Sequence, residues 1–208
     1  MAQRKGLDLE KADRQREERN GRSLDFFRGF LKDPKQVGSV IPSSRFMERK
    51  IVEYALPERA SVVVELGPGT GGTTRALLKE MPADGRLLAI DVDSRFTAIV
   101  AGIQDERVIA HTGSAVDLAE ILRQHGLGRP DVVVSGIPFS TMPRELGQSI
   151  LQAVHDSLND AGLFVAYQFR AEVARLAWPV FGDPLRSEMV ALNVPPMRIW
   201  QWGRDSKQ

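Results

Sequence analysis

Ser61-Val62-Val63-Val64-Glu65-Leu66-Gly67-Pro68-Gly69-Thr70-Gly71-Gly72-Thr73 is the stretch on which the reading of this 208-residue chain turns. Ser61 to Leu66 is a β-branched run and reads as a buried parallel strand. It passes directly into glycines at 67, 69, 71 and 72, and Thr73 to Glu80 then has helix-forming composition. Those glycines permit positive φ and leave no Cβ between the backbone and a ligand. The helix that follows opens with N–H groups lacking intrahelical partners. A strand, a glycine turn and a helix in this order predict a small-molecule site at the carboxyl end of a strand, where open α/β sheets bind ligands.

Gly67, Gly69 and Gly72 satisfy the dinucleotide pattern G-x-G-x-x-G, which on its own is weak. Glu65, two residues before the first glycine, points elsewhere. An anion there suits the cationic amino-acid end of S-adenosylmethionine better than a pyrophosphate. Glu65, Gly67, Gly69 and Gly71 resemble the first motif, E-x-G-x-G-x-G, of the class I methyltransferases. Asp91 ends the next hydrophobic run, Leu87 to Ile90, where either ligand needs a carboxylate for its ribose hydroxyls. A tight turn that binds nothing is the competing reading, and one glycine would suffice for it.

Composition narrows the rest. Length suits one domain with an added segment, and an apolar fraction of 42% is ample for one core. Net charge is +1, so overall charge does not argue for nucleic acid. There are no cysteines, which excludes disulfides and thiolate metal sites. His111, His125 and His155 show no ligand spacing, so no metal is expected. No apolar run approaches the ~20 residues of a membrane span, and the charged start does not read as a signal peptide. The expectation is a soluble or peripheral cytoplasmic protein.

Residues 1 to 22 are almost all charged or polar and predict a solvated helix or a disordered tail. Ser23 to Lys32 differs, with Ser23 placed to cap a helix and Asp25 in its first turn. Leu24, Phe27 and Leu31 share a face that Phe26 and Phe30 widen, with Arg22, Arg28, Lys32 and Lys35 flanking it. That pattern fits a helix lying in a membrane interface or one packed on a core. Pro34 stops it. The loop Val37-Gly38-Ser39-Val40-Ile41-Pro42-Ser43-Ser44 suits close approach to a ligand, and Ser44 or Ser43 can cap a helix over Arg45 to Leu56.

Beyond the glycine turn the chain alternates as α/β units require. Strands are predicted at Leu87 to Val92, Arg107 to His111, Asp131 to Ser135 and Leu163 to Phe169. Helices are predicted near Ser94 to Ala101, Val116 to His125, Pro143 to Leu158 and Ala171 to Trp178. Glu188 to Val194 and Arg198 to Trp202 fit an antiparallel pair at the sheet edge. Pro143 is expected in the first turn of its helix. Five alternating units with a terminal hairpin is the order of the class I methyltransferases. The expected fold is therefore α/β, with a Rossmann-like doubly wound sheet, mostly parallel, a C-terminal antiparallel hairpin and added N-terminal helices. Residues 1–56 are expected to form a helical membrane-binding and substrate-lid segment, and residues 57–208 the methyltransferase domain.

Ser135-Gly136-Ile137-Pro138-Phe139 ends the fourth strand beside the expected ligand. Pro138 fixes the chain, Gly136 lets backbone carbonyls point inward, and a carbonyl can accept a hydrogen bond from an attacking amine. Phe139 can face a cation, or it can be a buried strand cap. The stretch resembles the catalytic turn of amino-group methyltransferases, which in rRNA adenine dimethylases reads Asn-Leu-Pro followed by an aromatic residue. Ser-Gly replaces Asn-Leu here, which removes the amide that would hold a nucleobase amine. Together with Gly38-Ser39-Val40-Ile41-Pro42-Ser43-Ser44 and Tyr167-Gln168-Phe169-Arg170, the turn looks much more like the small bacterial phospholipid N-methyltransferases. The resemblance runs from Phe26 to about Trp202.

The resemblance implies methyl transfer from S-adenosylmethionine to the amine of phosphatidylethanolamine and its methylated derivatives, leading to phosphatidylcholine. It implies cofactor binding by Ser39, Glu65, Gly67, Pro68, Gly69, Thr70, Gly71, Asp91, Val92, Ser114, Ala115, Ser135 and Gly136. The candidates for orienting the amine are Tyr167, Ser135 and the Ile137 backbone, and no general base can be assigned. Ser43, Ser44, Arg45, Pro138, Phe139, Tyr167 and Arg170 are the expected substrate contacts, with Arg45 or Arg170 for the lipid phosphate. Phe26, Phe27, Phe30 and Leu31, with Arg22, Arg28, Lys32 and Lys35, become the insertion face of a monomer bound peripherally to an anionic inner membrane. An RNA methyltransferase and a non-catalytic nucleotide sensor docked on membranes are the rival readings.

Overall fold

The computed structural model describes residues 44–193 and 195–205, and these fall within one compact unit, Val40–Gln208. The candidates Ser39 and Ser43 and the whole aromatic-basic stretch from Arg22 to Lys35 lie outside the described residues. Seven strands form one sheet: β1 (Val62–Leu66), β2 (Arg86–Asp91), β3 (Val108–Thr112), β4 (Val132–Ser135), β5 (Leu163–Gln168), β6 (Arg186–Val190) and β7 (Met197–Gly203). Their spatial order is β3-β2-β1-β4-β5-β7-β6. β1 to β5 are parallel, and β7 runs antiparallel between β5 and β6. The sheet is thus doubly wound and mostly parallel with a C-terminal hairpin. Strand order reverses between β1 and β4, and that places a crevice at their carboxyl ends.

Alternation along the strands divides the core in two. Val63, Leu87, Ala89, Val132, Val134, Val165 and Tyr167 face helices α1 (Arg45–Ala55), α2 (Gly72–Glu80) and α3 (Ser94–Ala101). Val64, Leu66, Leu88, Ile90, Val133, Phe164 and Ala166 face α4 (Leu118–Gln124), α5 (Arg144–Ser157) and α6 (Glu172–Phe181). In α1 the spacing of Met47, Ile51, Tyr54 and Ala55 carries one stripe into the core, whereas the neighbouring Phe46 is 48% exposed. Ser44 caps α1, its hydroxyl accepting from the Met47 N–H at 3.2 Å. The helix stops one residue short of the expected end because Leu56 turns left-handed at φ 49°, its N–H donating to the Val52 carbonyl.

Four boundaries differ for identifiable reasons. Ala115–Asp117 forms a 3-10 turn before α4, with the Ser114 hydroxyl accepting from Val116 N–H. Pro143 precedes α5 in extended conformation rather than standing in its first turn. α6 does not end before Pro179 but continues to Phe181. The carbonyl that Pro179 leaves without its bond belongs to exposed Arg175, while Val180 and Phe181 beyond it are buried, so core burial outweighs a loss that water can make good. β6 ends at Val190 instead of Val194, since Asn193 folds the chain over. Asn193 Nδ2 donates to the Pro195 carbonyl, and its Oδ1 accepts the Ser44 N–H from 149 residues away.

Candidate active site

The glycine turn after β1 is built from positive φ at Gly67 (74°), Gly69 (53°) and Gly71 (78°). Gly71 occupies the cap position of α2, so no capping side chain bonds the first N–H groups of that helix. The second turn closes against it. A Cβ on Gly67 would lie 3.4 Å from both the Ile137 side chain and its backbone nitrogen. A Cβ on Gly136 would lie 2.6 Å from the Tyr167 hydroxyl and 3.1 Å from the Gly67 carbonyl. Only glycine at 136 lets β1, β4 and β5 bring their carboxyl ends this close.

Glu65 is fully buried at the floor of the first turn. One carboxylate oxygen accepts from the Thr74 hydroxyl at 2.6 Å, and the other, Oε1, has no partner among the described residues. Burial pushes its pKa up to about 7, against the pull of Thr74, and Asp91 adds to the rise. Asp91 stands two residues beyond the register partner of Glu65 on the next strand, hence on the same face. Burial raises its pKa to about 6, offset in part by the Asp93 N–H at 2.9 Å. Gly113 N–H donates to the Asp91 carbonyl, which places Ser114 and Ala115 beside the end of β2 next to Val92. Glu48 of α1 was not anticipated; its carboxylate stands 2.7 Å from where a Gly72 Cβ would be, close to the N-terminus of α2. S-adenosylmethionine fits this set: a bare glycine cradle, a buried carboxylate with one oxygen unpartnered for a cation, and a second carboxylate at the next strand end for hydroxyls.

The second turn departs from expectation in three places. Phe139 is 1% exposed and packs in the core, so its ring is not available to face a cation. The strand-cap alternative is what the structure shows. The Ile137 carbonyl, expected to receive an amine, already accepts from Phe139 N–H at 3.0 Å and from Gln168 Nε2. The Pro138 carbonyl accepts both the Thr141 N–H and its hydroxyl. Both carbonyls have used their two lone pairs. The buried Ser135 hydroxyl accepts from Ile137 N–H at 3.3 Å, holding the turn. Tyr167 is 8% exposed, with its hydroxyl 3.4 Å from that of Thr73.

Arg45 and Arg170 are both exposed, Arg45 at the start of α1 and Arg170 beyond β5. The Ser44 hydroxyl accepts from Met47 N–H as the cap of α1, and the Ser44 backbone N–H donates to Asn193 Oδ1. Gln168 and Thr74 were missed. The signal for Gln168 was available in the period-two pattern of β5, which places a polar residue on a buried face. Among the described residues no group of three or more His, Asp or Glu could hold a metal, and no helix is long and apolar enough to cross a membrane.

No family model matches the chain. The ornithine lipid N-methyltransferase of Singulisphaera acidiphila is 30% identical over 173 residues, covering 82% of this chain and 90% of that enzyme. Ribosomal RNA small subunit methyltransferase A of Caulobacter vibrioides is 39% identical over only 97 residues, covering 44% of this chain and 34% of that protein. Among solved structures, the N-methyltransferase NodS of Bradyrhizobium japonicum WM9, in complex with S-adenosyl-L-homocysteine, superposes with a TM-score of 0.64 at 13% identity. It covers 88% of this chain and 96% of that one. The match over 90% of the Singulisphaera enzyme and the doubly wound sheet with its glycine turn agree: the chain belongs to the lipid N-methyltransferase family of class I S-adenosylmethionine-dependent methyltransferases.

Proposed function

We propose that this methyltransferase acts on the amine of phosphatidylethanolamine and its mono- and dimethyl derivatives, leading to phosphatidylcholine at an anionic inner-membrane surface. The observation that carries the reading is the contact of the two turns, with Ile137 and Gly136 pressed on Gly67 and Tyr167 beside them. An amine bound at this contact would lie against the cofactor cradle, among buried groups. When bound, S-adenosylmethionine supplies a methyl group carried on a sulfonium.

The chain's own residues do the rest. Glu65 would hold the cofactor's ammonium, Asp91 its ribose hydroxyls, Gly67 to Gly71 its path along the backbone, and Val92, Ser114 and Ala115 its base. Ser135 and Gly136 border the methyl. Holding both reactants in line can supply much of the rate. The amine must be neutral to attack, whereas an alkyl ammonium has a pKa of about 10. Burial near Tyr167, among apolar groups, lowers that value. Arg170 and Arg45 are placed for the lipid phosphate. Phe169 and Leu192, 61% and 66% exposed, lie near them at the carboxyl edge of the sheet and suit an acyl or interfacial environment. In this reading residues 1–56 bring a monomeric enzyme to the bilayer and fold over the substrate, and residues 57–208 carry out transfer.

The Singulisphaera relative favours a second reading in which the amine belongs to an ornithine lipid. The RNA reading is weaker, since the ribosomal RNA relatives match about half of the chain or less. Incubation with labelled S-adenosylmethionine and vesicles of phosphatidylglycerol mixed with either phosphatidylethanolamine or ornithine lipid separates the readings. Label in mono-, di- and trimethylated phosphatidylethanolamine is the expected result. Label confined to ornithine lipid would replace the substrate, and label in neither lipid, from protein that binds the cofactor, would remove the lipid reading.

A further inference from the structure

Gln168 closes β5 with its side chain 5% exposed, where the strand meets the Ser135–Pro138 turn. Its Nε2 donates to the Ile137 carbonyl. That bond fixes which way round the carboxamide stands, because a carbonyl can only accept; the NH2 faces Ile137 and the oxygen faces away. Oε1 is sealed from solvent and accepts nothing among the described residues. A buried amide oxygen left without a donor is costly. The neighbouring Ile137 and Pro138 carbonyls have no lone pair to spare. Two of the second turn's backbone carbonyls are thus spent, and the Gln168 oxygen beside them is an acceptor with no partner among the described residues.

We infer that Gln168 Oε1 receives an N–H of the substrate amine, and that this residue sets how the enzyme ranks amines by the number of N–H groups they carry. The inference rests on the amine-methylation reading above and deepens it. The nitrogen lone pair forms the new N–C bond, the old bond to the methyl breaks with its electron pair going to the departing S-adenosylhomocysteine sulfur, and the surplus proton leaves to water afterwards. Positive charge grows on nitrogen as this happens, so its remaining N–H groups become stronger donors. An acceptor fixed beside them binds the transition state better than the ground state. A primary amine carries two such groups, a monomethyl amine one and a dimethyl amine none. Gln168 thus assists the first two transfers and has nothing to hold in the third.

The test uses the full-length enzyme with phosphatidylethanolamine and its mono- and dimethyl forms in the same vesicles. Gln168→Met keeps the shape and removes both hydrogen-bonding atoms. Its kcat should fall about 10- to 100-fold more on phosphatidylethanolamine than on the dimethyl lipid, as expected for a hydrogen bond to a charged group. The monomethyl lipid should fall between, with KM little changed. Gln168→Glu gives a second reading should the first variant fold poorly. A protonated carboxyl can both donate to Ile137 and accept from the amine, so activity on phosphatidylethanolamine should recover as pH falls, against the wild-type trend. Equal losses on all three lipids, or no acid-side recovery, would overturn the assignment alone. A wild-type enzyme that labels none of the three overturns the amine reading and this assignment with it.

Discussion

The turns after β1 and β4 look alike in sequence, each a strand end running into glycine and proline, yet they use their polar groups in opposite ways. The first keeps capacity open. Three left-handed glycines bare the backbone, the cap residue of α2 makes no side-chain capping bond, and Glu65 holds one oxygen without a partner among the described residues. The second is internally satisfied, with Ser135 bound to Ile137 N–H, Ile137 and Pro138 carbonyls each accepting twice, and Phe139 sunk into the core. The first keeps groups ready for a ligand, and the second is a rigid turn tied to β5 through Gln168 and packed close to Tyr167.

The strongest way to break this contrast is at Phe139. If the residue is an anchor, Phe139→Ala should cost about 3–5 kcal/mol of stability, as for a large buried side chain. Phe139→Leu should fold and keep most of its methyl transfer. Denaturant unfolding and turnover, measured together, distinguish an anchor from a face for a cation, which Leu could not replace.

Glu65 sharpens the other half. Its folded pKa of about 7 stands above its ordinary 4.5, so the folded protein holds an extra proton between those values. Stability of the cofactor-free protein should therefore be full below about pH 4.5 and fall as pH rises through 7, by about 3 kcal/mol in all. Asp91, raised to about 6, adds to the same trend at lower pH. Glu65→Gln should flatten most of that slope and weaken cofactor binding about 10-fold or more. Thermal melts from pH 4.5 to 8 check the first, and calorimetric titration with S-adenosylmethionine the second. A slope unchanged in the variant would mean Glu65 is not the titrating group.

The smallest expected effect is at the contact between the turns. Gly136→Ala would push a methyl within 2.6 Å of the Tyr167 hydroxyl, costing about 1–3 kcal/mol as overpacking does. Adding Tyr167→Phe should restore part of that stability without restoring activity. Full recovery of both would show that the tyrosine hydroxyl is dispensable.

Much of the fold was legible because its signals are local. β-branched runs, the glycine turn, the Ser44 cap and the helix from Ser94 to Ala101 each depend on residues within a few positions of one another. Pro179 misled for a related reason: its local rule is sound, but burial of Val180 and Phe181 outweighs it. At the site, Glu65 and Asp91 could be found because a carboxylate at a strand end is conspicuous in an apolar run. Phe139 could not be decided, since the same aromatic type serves a core and a cation equally well.

The sequence by itself determined the alternation of strands and helices, the glycine cradle and its two carboxylates, because backbone freedom and hydrophobic period are properties of neighbouring residues. Only the tertiary structure decided which oxygens remain free. Gln168 reaches Ile137 across 31 positions, and Asn193 reaches Ser44 across 149. Whether a carbonyl is spent or available depends on donors that the folded sheet delivers from elsewhere in the chain.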